Sequence, residues 1–321
     1  MSNTIGVDIG GTKIAAGLVD DTGTILTTVR RQTPSRDAPA AVRAVTEIVA
    51  ELTDWAAGHD TASATAVGVG VAAYVDAARR NVQFAANLGW TEVALADELE
   101  RGITVPVVVE NDANSASWGE FGFGAGRDYA DMVCVTVGTG IGGGIVLSGL
   151  LLRGAYGIAA EVGHLQKVPD GRPCGCGQRG CWEQYASGSA LVREARELAA
   201  DRRGEAGILL GLGDGTPEGV RGRHITAAAR AGDPVATAAF ETVGSWLGRG
   251  LADLAALLDP EVLVIGGGVV DAGELLLGPA RQAFLAHLPA AEHRVAARIL
   301  PAQLGNAAGI VGAADLARVA R

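Results

Sequence analysis

Ile5-Gly-Val-Asp8-Ile-Gly10-Gly11-Thr12-Lys13-Ile14-Ala-Ala-Gly-Leu-Val19 opens as an apolar strand, meets two glycines and resumes as a second apolar run. Asp20-Asp21-Thr22-Gly23 is a turn signal before a third run, Thr24 to Val29. The spacing predicts three antiparallel strands joined by tight turns. The same order returns downstream. Met132 to Val137 reads as a strand, Gly138 to Gly144 as a glycine loop and Ile145 to Leu147 as a strand. Ser148-Gly149 is then a turn and Leu150 to Arg153 a third strand. Two copies of this pattern predict two related α/β domains with a phosphate-sized cleft between them.

Between and after the copies, strands alternate with helices. Helices are expected from Pro39 to about Ala57, with Pro at the first helical position, and from Leu95 to Arg101 before Gly102. Ala64 to Val71 and Val105 to Val109 are buried strands. A helical stretch should follow Asn111–Asn114 and end near Gly122. Residues 202–223, rich in Gly and charge, read as an exposed loop. Asp233-Pro234 caps a helix reaching Leu258; Glu261 to Ile265 is a strand, Gly266-Gly267-Gly268 a turn, and a helix starts near Glu274. The expected domains are a small α/β domain over 1–112, with a C-terminal helix of about 306–321 packed on it, and a large α/β domain over 113–305.

The 321 residues suit about two domains. Hydrophobic residues at 48% and charged residues at 19% exclude a disordered chain. A net charge of -10 disfavours a general nucleic-acid or membrane-surface binder. No run has the ~20 uninterrupted apolar residues of a membrane span, and Met1-Ser2-Asn3-Thr4 carries no signal-peptide core. Four cysteines, three of them within eight positions, do not resemble a secreted disulfide framework, so a cytoplasmic location is expected.

Gly138-Thr139-Gly140-Ile141-Gly142-Gly143 formally matches a dinucleotide fingerprint, but that site needs a helix after the glycines and here a strand follows. No P-loop motif occurs. What remains is a pair of turns, 10–13 and 138–143, whose backbone N–H groups can approach a polyphosphate where no Cβ intervenes. Thr12 and Thr139 add hydroxyls and Lys13 a charge. Asp8, unusual within a strand, makes sense if Mg²⁺ lies between it and phosphate. The competing account makes both turns ordinary hairpins with Gly at positive φ.

Glu110-Asn111-Asp112 follows a valine-rich strand directly, at the kind of strand end where ligands bind in open α/β sheets. Asp112 there could take a proton from a substrate hydroxyl that Asn111 orients. A helix cap would account for Asn111 or Asp112, though not comfortably for both. Farther on, His164 with Cys174, Cys176 and Cys181 makes a Cys₃His set, the full complement of a structural Zn²⁺ site, with a disulfide as the alternative. That knot would gather Glu161, His164 and Glu183, and the second ring nitrogen of His164 would need a partner such as a sugar hydroxyl. Two carboxylates also raise a glycosidase, which leaves the glycine turns unexplained. Cys134 reads as a small buried hydrophobe.

Asp8-Ile-Gly-Gly-Thr-Lys13, Glu110-Asn-Asp112, Gly138-Thr-Gly-Ile-Gly-Gly143, Glu161-x-x-His164 and Cys174-x-Cys176-x₄-Cys181-x-Glu183 together resemble the ROK family (repressors, open reading frames, kinases), in family order along nearly the whole chain. Phe84-Ala-Ala-Asn87-Leu-Gly-Trp90 is similar to the stretch typical of its bacterial glucokinases. Ala73-Tyr74 departs from the more usual Gly-Phe or Gly-Arg. The resemblance implies two actin-like, ribonuclease H-like domains of the hexokinase-like superfamily and an ATP:glucose 6-phosphotransferase with Asp112 as base. It implies sugar contacts from Asn87, Asn111, Asp112, Glu161, His164 and Glu183. It also implies ATP contacts from Asp8, Gly10, Gly11, Thr12, Lys13, Gly138, Thr139, Gly140 and Gly267, with Mg²⁺ beside ATP and structural Zn²⁺ on His164, Cys174, Cys176 and Cys181. Family members are commonly homodimers or homotetramers. Open alternatives are another sugar (N-acetylmannosamine, N-acetylglucosamine, fructose or allose), polyphosphate as donor, or a transcriptional regulator. The last is disfavoured because no helix-turn-helix precedes Ile5.

Overall fold

The computed structural model describes residues 2–34 and 36–319. In chain order the first elements are β1 (Asn3–Ile9), β2 (Lys13–Val19), β3 (Ile25–Gln32), α1 (Ala38–Gly58), β4 (Ala64–Val71), β5 (Tyr74–Val75), β6 (Val82–Ala85) and β7 (Trp90–Val93). They continue with α2 (Leu95–Glu100), β8 (Val107–Asn111), α3 (Asp112–Phe123), β9 (Met132–Val137), β10 (Ile141–Leu147), β11 (Leu150–Leu151), α4 (Glu183–Ala186) and α5 (Gly188–Asp201). The rest are α6 (Gly207–Leu212), α7 (Gly222–Arg230), α8 (Pro234–Leu258), β12 (Val262–Gly266), α9 (Glu274–His287), β13 (Arg298–Pro301) and α10 (Ala308–Val319).

The chain divides into two compact bodies, one of Met1–Met132, Gly143–Ala160 and Gln303–Arg321, the other of Val133–Gly142 and Glu161–Ala302. The break expected after residue 112 is therefore displaced. Helix α3 stays with the first body because it packs against α10 and β4. Residues 320 and 321, placed in the last helix by the sequence, lie outside the described residues.

In the first body the sheet order is β3-β2-β1-β4-β8, antiparallel from β3 to β1 and parallel from β1 to β8. Alternation assigns the two faces. Ile5, Val7 and Ile9 of β1 and Ile14, Ala16 and Leu18 of β2 face a core shared with Val45, Ile48 and Leu52 of α1. Ala15 and Val19 face the other way, onto Ile310, Val311 and Ala314 of α10. Gly6 and Gly68 lie beneath α10 so closely that a Cβ on either would strike the carbonyl of Ile310 or Ala313. The same alternation puts Asp8 on the α10 side of β1, against Gly309.

The second five-stranded sheet runs β11-β10-β9-β12-β13, with β12 and β13 parallel. Its glycine loop is shorter than expected: Ile141 to Gly144 belong to β10, leaving only Gly138–Gly140 as the turn. Segment 202–223 is not simply a loop. It contains α6, whose Leu209 and Leu210 are buried, and the start of α7. The cap Asp233 explains part of this order, accepting N–H bonds from Val235 and Ala236 of α8 and reaching Leu209 N–H at 2.9 Å. The strand expected at 105–109 instead spans Val107–Asn111, carrying Glu110 and Asn111 within it. Strand β13 and the antiparallel sheet β5-β6-β7 have no counterpart in the sequence reading. No helix among the described residues is long and apolar enough to cross a membrane.

Candidate active site

The first body holds Asp8, the 10–13 turn, Asn87, Asn111 and Asp112. The turn closes with Gly10 N–H donating to the Lys13 carbonyl at 3.0 Å. Thr33, which belongs to no motif, braces it: its hydroxyl donates to the Gly10 carbonyl at 2.7 Å and its N–H to the Thr12 carbonyl at 3.1 Å. Gly11, Thr12 and Lys13 are left exposed. Asn87, between β6 and β7, is also exposed, and a Cβ on Gly11 would touch its Cβ at 3.8 Å. Burial, the nearby charge of Asp112 and a partial offset from Lys13 push the Asp8 carboxyl up to about 6.

At the β8–α3 junction the two cap candidates separate. Asn111 is the cap, its Oδ1 accepting Asn114 N–H at 3.0 Å while its Nδ2 donates to the Ala73 carbonyl at 3.2 Å. Asp112 is the first helical residue and accepts Ala113 N–H at 2.9 Å. Burial raises its proton affinity above the ordinary carboxylate range, partly offset by the helix N–H groups and the Asn111 side chain. A half-buried carboxyl of this kind suits a general base.

In the second body, Gly138 N–H donates to the Gly140 carbonyl at 3.0 Å, and the Gly138 carbonyl accepts Gly188 N–H at 2.8 Å from the start of α5. Gly138 and Thr139 of this turn help to line a groove of about 880 Å³, together with Ser189, Val192, Arg193 and Arg196 of α5 and with Gly268 and Val269. The α5 residues were invisible to motif reading. Gly267, at φ 84°, lies against the Val137 backbone and does not line the groove.

The glycines distinguish the two accounts of the turns. Gly10, Gly11, Gly138 and Gly140 do not have positive φ. A Cβ on Gly138 would meet nothing within 4 Å, and one on Gly10 only the Lys13 carbonyl at 3.4 Å. Neither a positive φ nor internal packing demands glycine at those two positions, and the open space beside them leaves room for a ligand to approach the backbone closely. Gly140 differs, since a Cβ there would strike the Glu183 carboxylate.

The donor atoms of His164, Cys174, Cys176 and Cys181 all lie within 4.8 Å of one another. His164 Nδ1 is 3.6 Å from Cys174 Sγ, and Cys176 Sγ is 3.6 Å from Cys181 Sγ. Tetrahedral ligands at about 2.3 Å from a common ion are about 3.7 Å apart, whereas a disulfide is about 2.0 Å long. Burial pushes the Cys174 thiol up to about 12, so a thiolate at that position needs a cation to hold its charge. The donor set fits Zn²⁺ and not a disulfide. Around it, Glu183 Oε1 lies 3.0 Å from Cys174 Sγ and 3.9 Å from His164 Nδ1, and Glu161 Oε2 lies 3.9 Å from His164 Nε2. The knot thus brings Glu161, His164 and Glu183 together. Cys134 is buried in β9.

The sequence profile of the ROK family matches residues 4–320. A glucokinase of Streptomyces coelicolor is 50% identical over 319 residues, covering 99% of this chain and 98% of the relative. A crystal structure of a ROK family glucokinase from Streptomyces griseus, in complex with glucose and AMPPNP, is 52% identical with a TM-score of 0.87 and covers 99% of each chain. The ROK hexokinase from Thermus thermophilus is 34% identical with a TM-score of 0.83, covering 99% of this chain and 98% of that one. The chain belongs to the ROK family.

Proposed function

We propose that the chain is an ATP-dependent sugar kinase that transfers the γ-phosphoryl group of ATP to the 6-hydroxyl of glucose, giving glucose 6-phosphate and ADP. The observation that carries this reading is a glycine in each turn, Gly10 and Gly138, that neither a positive φ nor internal packing requires, in a chain half identical to a glucokinase along its length. Glycines open to an approaching phosphate fit a nucleoside triphosphate, and the Streptomyces griseus structure holds an analogue of one.

Asp112 accepts the proton of the 6-hydroxyl as that oxygen attacks the γ-phosphorus, and the bond to the bridging β-γ oxygen of ATP breaks. Asn111, fixed by the Ala73 carbonyl and by its capping bond, orients the sugar. Asn87, Glu161, His164 and Glu183 supply its other hydrogen bonds. The groove beside α5 takes the nucleoside, and Gly138, Thr139, Gly140, Gly10, Gly11, Thr12 and Lys13 offer N–H, hydroxyl and ammonium donors to the phosphates. Gly267 supports that surface by setting the backbone before Gly268. Mg²⁺ arriving with ATP would be met by Asp8 and would neutralise phosphate charge. Zn²⁺ on His164 Nδ1, Cys174, Cys176 and Cys181 would hold the loop rigid, leaving His164 Nε2 for a hydroxyl. The same reading puts the enzyme in the cytoplasm, where ATP is available and thiols stay reduced, and takes it to be a homodimer or homotetramer.

A coupled assay of glucose, N-acetylmannosamine, N-acetylglucosamine, fructose and allose, each with ATP and with polyphosphate, tests the reading. Glucose with ATP is expected to give the highest kcat/KM. Preference for another sugar, for polyphosphate, or no transfer at all would refute it.

A further inference from the structure

Glu110 is a carboxylate at 1% exposure that the mechanism above does not use. Its Oε1 accepts Asn111 N–H at 3.0 Å and Asn114 Nδ2 at 3.1 Å, gripping the β8–α3 junction that presents Asn111 and Asp112. Its Oε2 faces two cations, Arg153 Nε at 2.7 Å and Arg79 Nε at 3.2 Å. These contacts are ionic rather than aimed hydrogen bonds, since Glu110 Oε2 and Arg153 Nε lack a hydrogen-bond partner.

Both arginines belong to the surroundings of the small β5-β6-β7 sheet. Arg79 lies in the β5–β6 connection at φ 61°, unusual for a residue with a Cβ, and its carbonyl accepts Val109 N–H at 2.9 Å. Arg153, two residues after β11, donates to the carbonyls of Asp76 at 2.8 Å and Ala77 at 2.9 Å. Asn111 itself reaches the Ala73 carbonyl just before β5. The end of β8 is therefore fastened to the sheet that carries Asn87, through Ala73, Arg79 and the charge on Glu110. Apolar residues of equal volume pack a junction as well as buried ions do. A carboxylate between two guanidiniums adds a fixed geometry instead.

We propose that the buried Glu110–Arg79–Arg153 cluster is a positioning device for the sugar side of the site, holding Asn111 and Asp112 in register with Asn87. It rests on the reading of those three residues as the sugar-facing set of the first body. Glu110 touches no reacting atom; it acts through Asn111 and Asn114. Damage to the cluster should therefore separate the two substrates.

The test is steady-state kinetics on wild type, Glu110→Gln, Arg153→Met and Arg153→Lys, with glucose and ATP varied in turn. Glu110→Gln is expected to raise the glucose KM roughly tenfold or more and to lower kcat, as small misplacements of reacting groups do. Its ATP KM should stay within about twofold. Arg153→Met should show the same split, and Arg153→Lys, which keeps the charge, should restore part of it. Because the Arg153 side chain is less deeply buried than that of Glu110, 11% against 1% exposed, its variants decide the matter if Glu110→Gln does not fold. Active wild type whose variants change neither KM, or both equally, overturns this proposal alone. Wild type that phosphorylates no sugar overturns the functional reading and this proposal with it.

Discussion

Gly309, at the start of α10, backs onto the carboxyl of Asp8 so closely that a Cβ there would lie 3.3 Å from Asp8 Cγ. The contact helps to dry a carboxyl already crowded by the charge of Asp112.

A stability cost follows for the ligand-free protein. With the carboxyl moved from 3.8 to about 6, the folded state holds its proton more tightly than the unfolded chain. The stability this contributes is present below pH 3.8 and lost as pH rises through about 6. Asp8→Asn removes that loss. Urea unfolding at pH 7.5 without ligands should show the variant stabilised by up to ~3 kcal/mol, with phosphotransfer greatly reduced. A variant less stable than wild type would count against the desolvated carboxyl.

Asp112→Asn should leave glucose binding within a few-fold while kcat falls by about 10²–10⁴. Calorimetry and turnover measured on one preparation separate the two effects. In wild type the acid limb of kcat/KM should lie above the ordinary carboxylate value of 3.8, because burial raises the proton affinity of Asp112. Near-normal turnover of the variant refutes the base assignment.

Elemental analysis of purified protein should give one zinc per chain. Cys176→Ala is expected to lose the metal and to raise the glucose KM roughly tenfold or more, since the knot positions His164 and Glu183. Zinc-free wild type with full activity would remove the metal from the account.

Val192→Trp should fill part of the α5 groove. The ATP KM is then expected to rise several-fold while the glucose KM is kept, which fluorescence titration with a nucleotide analogue can check independently. An unchanged ATP KM would move the nucleoside elsewhere.

The sheet of the first body was legible because its strands are long, buried and separated by strong turn signals; Ala64–Val71 matches residue for residue. Strands β5, β6 and β7 were not, since two to four residues carry no periodicity to read. Helix α6 hid behind glycines and charges, and only the tertiary bond from Asp233 to Leu209 N–H marks its place. In the site, the cysteine spacing and Asp8 stood out because such residues are rare in those settings. Thr33, Arg153 and the α5 side of the groove did not, because their roles depend on neighbours distant in sequence.

Helix α10 covers a sheet whose first strand is made at the opposite end of the chain. About 300 residues of translation separate Asp8 from Gly309, or roughly 15–60 s at ~5–20 residues per second on the ribosome. During that interval the glycine-lined face of β1 and β4 has no cover. Nascent chains should accordingly need chaperone protection until α10 has emerged and docked, and proteolysis of intermediates stalled before it should cut the first body more readily than in the folded protein.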